Sequence, residues 1–361
     1  MRPLEVPGVL TAAQTARTAD AIARAQTPGG AIPWYPGGRL DPWDHVQAAM
    51  GLTAAGRRDE AAAALRWSAG AQRRDGTWPM AYGGPDATTV LDPHADLGFG
   101  AYLATGVRHH HLATGDRRLV DETWPAVRAA LDLVVAHQRD DGTVPWAVGA
   151  GGPVDDALLT ASASTALSLR HSATLGELVR DPHPGWLRAA RRLAHAVADH
   201  PEAFSPKPTH AMDWYYPVLT GALTGARAAA HLDARWAEFV EPGLGVRCVS
   251  DHPWVTGGES AELALALDAA GRPARAAAVL RDLQHLRDED GSYWTGLVHA
   301  DGKRWPVERT TWTAATVLLA ADALAGATAA GGLFRDAARE AHHAAPYRSE
   351  KETPCRCRLA S

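Results

Sequence analysis

Cysteine is scarce in this chain, with three among 361 residues: Cys248, Cys355 and Cys357. That excludes a disulfide-stapled scaffold and fits a reducing compartment. Cys355 and Cys357 alone make too small a ligand set for a metal site, and their placement does not match a prenylation signal. An excess of basic residues is also missing. The formal net charge is −5 and the pI about 6.4, so neither nucleic acid nor an anionic membrane surface is an expected partner. No apolar run approaches the length of a transmembrane segment. The stretch Met1–Glu5 opens without the apolar run of a signal peptide, and a cytoplasmic location is expected. Strand-like alternation is absent over any useful length. Phenylalanine is rare, at 4 residues, whereas tryptophan reaches 13. Flat indoles suit stacking on sugars or walls around a cation.

What is present is a repeated phrase. A helix ends in Gln, and a few residues later come Gly and an aromatic or proline. The phrase starts at Gln26 (Gly30, Pro33, Trp34), Gln72 (Gly76, Trp78), Gln138 (Gly142, Pro145, Trp146) and Gln284 (Gly291, Tyr293, Trp294). Each copy reads as a helix end whose glycine takes a positive φ and whose aromatic staples the turn. Hydrophobic residues make up 46% of the chain, enough for a large core, and alanine dominates the periodic segments. Thr11 and Gln14 form a capping box that opens the first helix, which runs to about Gln26.

Further helices are predicted near 44–55, 58–73, 96–114, 117–138, 156–180, 185–199, 213–230, 232–240, 258–270, 272–286, 310–325 and 331–343. Two hairpin ends lack the phrase, at His200–Phe204 and Pro242–Gly245. The pattern predicts an all-α chain folded as a single (α/α)6 toroid of six helical hairpins over residues 1–345. Residues 346–361 are predicted to form a disordered tail.

In such a ring the inner helices run parallel and their N-termini open on one face. Acidic and aromatic residues gather at those openings: Asp41, Trp43 and Asp44; Asp92, His94 and Asp96; Asp155 and Asp156; Asp213, Trp214 and Tyr215; Glu259 and Glu262; Trp305, Glu308, Arg309 and Trp312. Together they predict an acidic, Trp-lined basin. Capping accounts for some of them singly: Asp44 with Gln47 and Thr256 with Glu259 fit capping boxes, and Asp155 and Asp213 fit N-caps. A helix N-terminus lowers a carboxyl pKa, which suits a base; an acid needs burial or a second carboxylate. The pairs meeting that condition are Asp41 with Asp44, Asp92 with Asp96, and Glu259 with Glu262. Glu262 sits in an apolar run and is the acid expected to be most buried. His94 with its two Asp neighbours offers few oxygens for a hard ion, and His109, His110 and His111 point in different directions, one inward and two at the surface. No metal site is assigned.

Several phrases carry a family resemblance: Asp41–Asp44, Asp156–Thr160, Met212–Leu219, Gly243–Cys248, Pro253–Glu259, Tyr293–Gly296 and Thr311–Ala314. Over most of its length the chain resembles actinobacterial prenyltransferase-like proteins, a group tied to the terpenoid-cyclase toroids. That resemblance implies an enzyme acting on an isoprenoid or lipid-linked substrate, with Mg²⁺ as a cofactor if the substrate is a diphosphate. The cyclases' Asp-x-Asp-Asp motif and the Asp-Asp-x-x-Asp motif of metal-dependent prenyl transfer are both incomplete here.

A second resemblance covers Ala55–Gly56, Thr114–Asp116, Thr123–Pro125 and Gln138–Gly142, with Thr311–Ala314: it is similar to six-hairpin, glucoamylase-type glycosidases. Those invert with two Glu residues. At the matching places this chain has Trp146–Gly149 and Tyr293–Thr295, which leaves Asp156 and Glu308 as displaced substitutes.

The expected catalytic set is therefore drawn from Asp41, Asp44, Asp96, Asp156, Asp213, Glu259, Glu262 and Glu308. The expected substrate contacts are Trp34, Trp43, His94, Trp214, Tyr215, Trp254, Trp294, Arg309 and Trp312. The leading expectation is isoprenoid chemistry. The alternatives are a carbohydrate-active enzyme using two rim carboxylates and a non-catalytic glycan binder.

Overall fold

The computed structural model describes residues 2–149 and 151–343. It is mostly helical. The helices are α1 (Ala12–Ala25), α2 (Pro42–Ala54), α3 (Arg58–Gly70), α4 (Leu97–Thr114), α5 (Arg117–Ala136), α6 (Leu159–Val179) and α7 (Pro184–Asp199), followed by α8 (Ala211–Leu219), α9 (Gly225–Ala234), α10 (Trp236–Phe239), α11 (Gly257–Ala269), α12 (Pro273–Asp282), α13 (Thr311–Ala325) and α14 (Leu333–His343). No helix among the described residues is long and apolar enough to cross a membrane.

Six helices form an inner ring: α2 packs on α4, α4 on α6, α6 on α8, α8 on α11, α11 on α13, and α13 back on α2. The inner helices are buried nearly all round; every residue of α2 except Asp44 is buried. The outer helices α1, α5 and α7 instead bury one stripe, as expected where a single face meets the ring.

The repeated Gln phrase joins neighbouring hairpins. Gln26 Nε2 donates to the carbonyls of Gly30 (3.0 Å) and Glu60 (2.8 Å). Gln72 Nε2 does the same for Gly76 (3.1 Å) and Ala126 (2.9 Å), and Gln138 Nε2 for Gly142 (3.0 Å) and Ala189 (2.9 Å). Each amide thus ties its own turn to the next outer helix: α3, α5 and α7 in turn. The turn glycines lie against those same helices. A Cβ on Gly30 would sit 2.5 Å from the Ala63 carbonyl oxygen, and one on Gly142 2.8 Å from that of Arg192. Gly291 closes the circle, since its Cβ would meet the α1 backbone at Arg17, 2.5 Å away. Positive φ values of +100°, +89° and +91° at these three positions add to the requirement for glycine.

The structure corrects the sequence reading in places. The chain is mostly rather than wholly helical. Val240–Glu241, Gly245–Arg247, Trp254–Thr256, Gly296–Val298 and Lys303–Arg304 form a five-stranded antiparallel sheet. These strands hold two or three residues each, too few for alternation to register. The helix expected over 213–230 is two helices, broken where Gly221 takes φ +74°. Asp41 rather than Asp44 caps α2, and Leu158 rather than Asp155 precedes α6. His109 and His110 are both buried, not one of the three. The tail predicted for 346–361 lies outside the described residues, as do Cys355 and Cys357.

Candidate active site

The N-termini of all six inner helices converge on one cavity of about 420 Å³. Asp41, Trp43 and Asp44 enter it from α2, Phe99 from α4, Thr160 and Ala161 from α6, and Met212 from α8. Thr256 and Glu259 come from α11, and Thr310 and Trp312 from α13. Trp34, Trp254, Thr295, Trp305, Pro306 and Glu308 complete the wall from the connecting segments. The chamber is walled by indoles, with carboxyls set between them.

The walls are braced from behind. Trp43 stacks face to face on Tyr102, ring centres 4.0 Å apart and planes 4° off parallel. Trp254 Nε1 donates to the Trp305 carbonyl at 2.7 Å, and the two indoles meet edge to face. Gly258 leaves room for Trp312, whose ring would lie 2.3 Å from a Cβ there. Arg39 lies 3.7 Å over the Trp34 ring, and Trp34 Nε1 donates to Asp41 Oδ2 at 2.6 Å.

Asp41 caps α2 through Oδ1, which accepts from the Asp44 amide at 2.9 Å. The two carboxyls also act on each other, the charge of Asp41 making that of Asp44 harder to form. What exposure they have faces the cavity rather than the outer surface. Burial raises the pKa of both. Asp44 rises further, because the charges of Asp41 and Glu262 add to its burial, whereas the Asp44 amide and the Trp34 indole hold Asp41 back. Asp44 is therefore the carboxyl of the two pushed further toward its protonated form.

Glu259 is 5% exposed and lines the same cavity, and its Oε2 has no hydrogen-bond partner. The capping box expected from Thr256 and Glu259 does not form: Thr256 makes no side-chain cap bond, and the carboxylate turns inward. Burial, followed by the nearby charge of Glu259, pushes the pKa of the Cys248 thiol up. Trp312 Nε1 and Thr256 Oγ1 are further buried polar atoms of the lining without a partner. Unsatisfied buried groups are costly, and three in one cavity mark places where a ligand or water supplies the missing bond.

Glu262 lies one helical turn beneath Glu259 and is not part of the lining. Its carboxylate accepts from Tyr215 Oη at 2.5 Å, Tyr216 Oη at 2.8 Å and Gln47 Nε2 at 3.1 Å. Burial nevertheless raises its pKa to about 7. Asp96 caps α4 by accepting from the Phe99 amide at 3.0 Å, and burial raises it to about 7 as well. Asp213 accepts from Thr160 Oγ1 at 2.6 Å, one residue behind Met212 of the wall.

Other predicted contacts lie elsewhere. Trp214 is core: it stacks on Phe239 at 5.0 Å and donates to the His231 carbonyl. Tyr215 is fully buried beneath the cavity, on Glu262. Asp156 is exposed and accepts from Ser205 Oγ at 3.0 Å; His94 is exposed and paired with Asp92 at 2.7 Å. Trp294 and Arg309 line a second cavity. Phe99, Thr160, Met212, Thr256, Thr295 and Thr310 were missed, because helix-opening Thr and apolar residues look like caps and core in sequence. Among the described residues no group of three or more His, Cys, Asp or Glu side chains is arranged to hold a metal ion.

The comparisons with known proteins agree with a carbohydrate-handling toroid. The chain is 52% identical over 330 residues to an MMP endo-(1,4)-3-O-methyl-α-D-mannosidase of Mycolicibacterium hassiacum, covering 91% of each protein. The chain belongs to the six-hairpin glycosidase family of that mannosidase. Solved structures place the fold in the same class. A glycosidase in complex with glucose superposes with a TM-score of 0.71 at 19% identity, over 88% of this chain and 97% of its own. The GH63 mannosylglycerate hydrolase of Thermus thermophilus does so with a TM-score of 0.65 at 16% identity, over 84% and 99%. No protein-family profile matches the chain. The leading expectation of an isoprenoid-processing, prenyltransferase-like enzyme is thereby overturned. A toroid's turn motif carries no substrate.

Proposed function

We propose that this protein is a glycoside hydrolase that cleaves internal α-(1→4) bonds of a 3-O-methylmannose polysaccharide. The substrate class follows the activity named for the mannosidase relative. The cavity supports it physically. A 3-O-methyl ether removes one hydroxyl donor from each sugar and adds an apolar face. A chamber walled by Trp34, Trp43, Trp254, Trp305 and Trp312 suits such a sugar better than a heavily hydroxylated one.

The observation that carries the chemistry is the pairing of Asp44 with Glu259. They project into one cavity from α2 and α11, which are separated in the ring by α13. Asp44, kept protonated by burial and by Asp41, serves as general acid toward the glycosidic oxygen. Glu259, with a bare carboxylate oxygen, takes a proton from the attacking water. The water oxygen bonds to the anomeric carbon as the glycosidic C–O bond breaks, and the leaving sugar departs with the proton from Asp44. Entry from helices on either side of α13 supports an inverting hydrolase, in which a water sits between the two carboxyls.

The test is incubation of the pure protein with 3-O-methylmannose polysaccharide, with products resolved by mass spectrometry. Shorter oligosaccharides bearing new reducing ends are expected. An unchanged polysaccharide, under conditions where the protein is folded, would sink the reading.

A further inference from the structure

A second cavity of about 530 Å³ adjoins the first. Its floor is Ile22 and Ala25 of α1 and Ala314 of α13; its mouth carries Tyr35, Trp294, Arg24 and Arg309. The segment 307–310 is the partition: Glu308 and Thr310 line both cavities. Arg309 is held over the Trp294 ring at 5.1 Å while it donates to Asp288 at 2.6 Å. A flat indole, a fixed guanidinium and an apolar floor are therefore presented together beside the reaction chamber.

The surface between the cavities is apolar as well. Five large hydrophobic side chains are exposed among the described residues, and three of them lie here: Tyr35 at 37%, Trp305 at 54% and Val307 at 82%. Trp305 borders the first cavity, Tyr35 the second, and Val307 the partition. Exposed apolar clusters of this kind mark binding surfaces. The three residues form a path from one chamber to the other.

We propose that the second cavity is a distal saccharide subsite, which holds further methylated sugar units of the chain whose scissile bond lies in the first. The proposal rests on the polysaccharide reading above. A sugar ring stacks on Trp294, the ether methyls meet Ile22, Ala25 and Tyr35, and the charged rim bonds the remaining hydroxyls. The chain crosses the partition along Val307 and Trp305. Grip at a distance from the reacting bond favours attack within a long chain over attack on a short one.

The experiment compares kcat/KM on a short and a long 3-O-methylmannose oligosaccharide for the wild type, Trp294→Ala and Tyr35→Ala. Tyr35 is exposed, so its variant keeps the test alive should Trp294→Ala fold poorly. The wild type is expected to favour the long substrate. Each variant is expected to lose roughly tenfold on the long substrate, mostly in KM, and almost nothing on the short one. Retention of the long-chain preference in both variants overturns the subsite, as does a wild type that shows no preference. If the wild type cleaves neither substrate, the polysaccharide reading fails and the subsite with it, a result distinct from the other two.

Discussion

At the N-terminal end of the inner ring, Thr256 Oγ1, Glu259 Oε2 and Trp312 Nε1 are buried without partners in a chamber that Asp41 and Asp44 also line. At the C-terminal end, polar side chains bridge helix to helix instead. Thr53 of α2 meets His110 of α4 at 2.9 Å, and Thr105 of α4 meets Ser168 and His171 of α6 at 3.0 and 3.1 Å. Helix α14 packs on α8 and α11 at that end, where Arg335 binds Asp268 at 2.5 Å and Gly221 abuts Ala338. Carboxyls at helix N-termini and cationic groups at C-termini each suit the local dipole. The difference lies in what completes them. The closed end has orphaned atoms of its own, His109 Nδ1 and Arg170 Nε among them, but at the open end the orphans line the chamber, where a ligand can reach them.

The sharpest way to break this comparison is to remove the open end's chemistry without touching its shape. Asp44→Asn and Glu259→Gln are each expected to lower kcat by roughly 10²–10⁴-fold, the range for a lost acid or base. Melting temperature should hold, since neither carboxyl carries a packing load. A variant that keeps most of its activity would take its residue out of the acid or base role. The stereochemistry of the product is a second readout. Proton NMR of fresh digests should show inversion, and retention would mean the two carboxyls sit close enough for a covalent intermediate.

The closed end should answer in stability. Arg335→Ala leaves Asp268, which is 5% exposed, without its cation, and should cost about 2 kcal/mol in denaturant melts. Activity per folded molecule should stay near wild type. A large loss of kcat with no loss of stability would mean the two ends are coupled through the ring.

Buried carboxyls and buried histidines should also titrate with opposite signs. At the open end, burial raises Asp96 and Glu262 to about 7. Such carboxyls bind their proton more tightly in the folded state, so their contribution is complete below pH 4 and is lost as pH rises through 7. At the closed end burial lowers His109 to about 3 and His110 to about 4. Their contribution is complete above 6.5 and is lost as pH falls through 4. His45, lowered by burial to about 4, and His171, also lowered by burial, act in the same sense as these two histidines. Asp96→Asn isolates one carboxyl. Its stability relative to wild type should climb from pH 5 to pH 8, by at most about 1.4 kcal/mol per pH unit. A flat difference would mean that Asp96 ionises normally.

How much of this was legible beforehand depended on periodicity. The ring was legible because the Gln…Gly phrase recurs and alanine-rich helices pair across short turns. The convergence of Asp41, Asp44, Glu259 and Glu308 on one rim followed from that ring. The substrate was not legible, since turn phrases such as Tyr293–Gly296 speak to the fold and leave its chemistry open. Nor was the split between wall and floor. Trp214 and Trp312 both sit near the start of an inner helix, yet one packs on Phe239 in the core and the other faces the chamber. Helix rotation decides that, and a set of six closely packed helices fixes rotation through contacts remote in sequence. The failed capping box at Thr256 and Glu259 has the same origin: the cavity competes with the backbone for the carboxylate.

The smallest expected effect tests the frame that both ends share. Gln72 Nε2 bonds the Gly76 carbonyl in its own turn and the Ala126 carbonyl of α5. Gln72→Ala removes both bonds at once. The loss should be about 1 kcal/mol, the net worth of one or two hydrogen bonds, with kcat unchanged. Gln26→Ala and Gln138→Ala cut equivalent joints, to α3 and α7, and should cost similar amounts. The three joints lie apart in the ring and share no partners, so their costs should add. A triple variant that loses clearly more than the sum would show that the joints act together, with each Gln holding the next hairpin in register. In that case the closure at Gly291 against α1 would set stability for the open and closed ends alike.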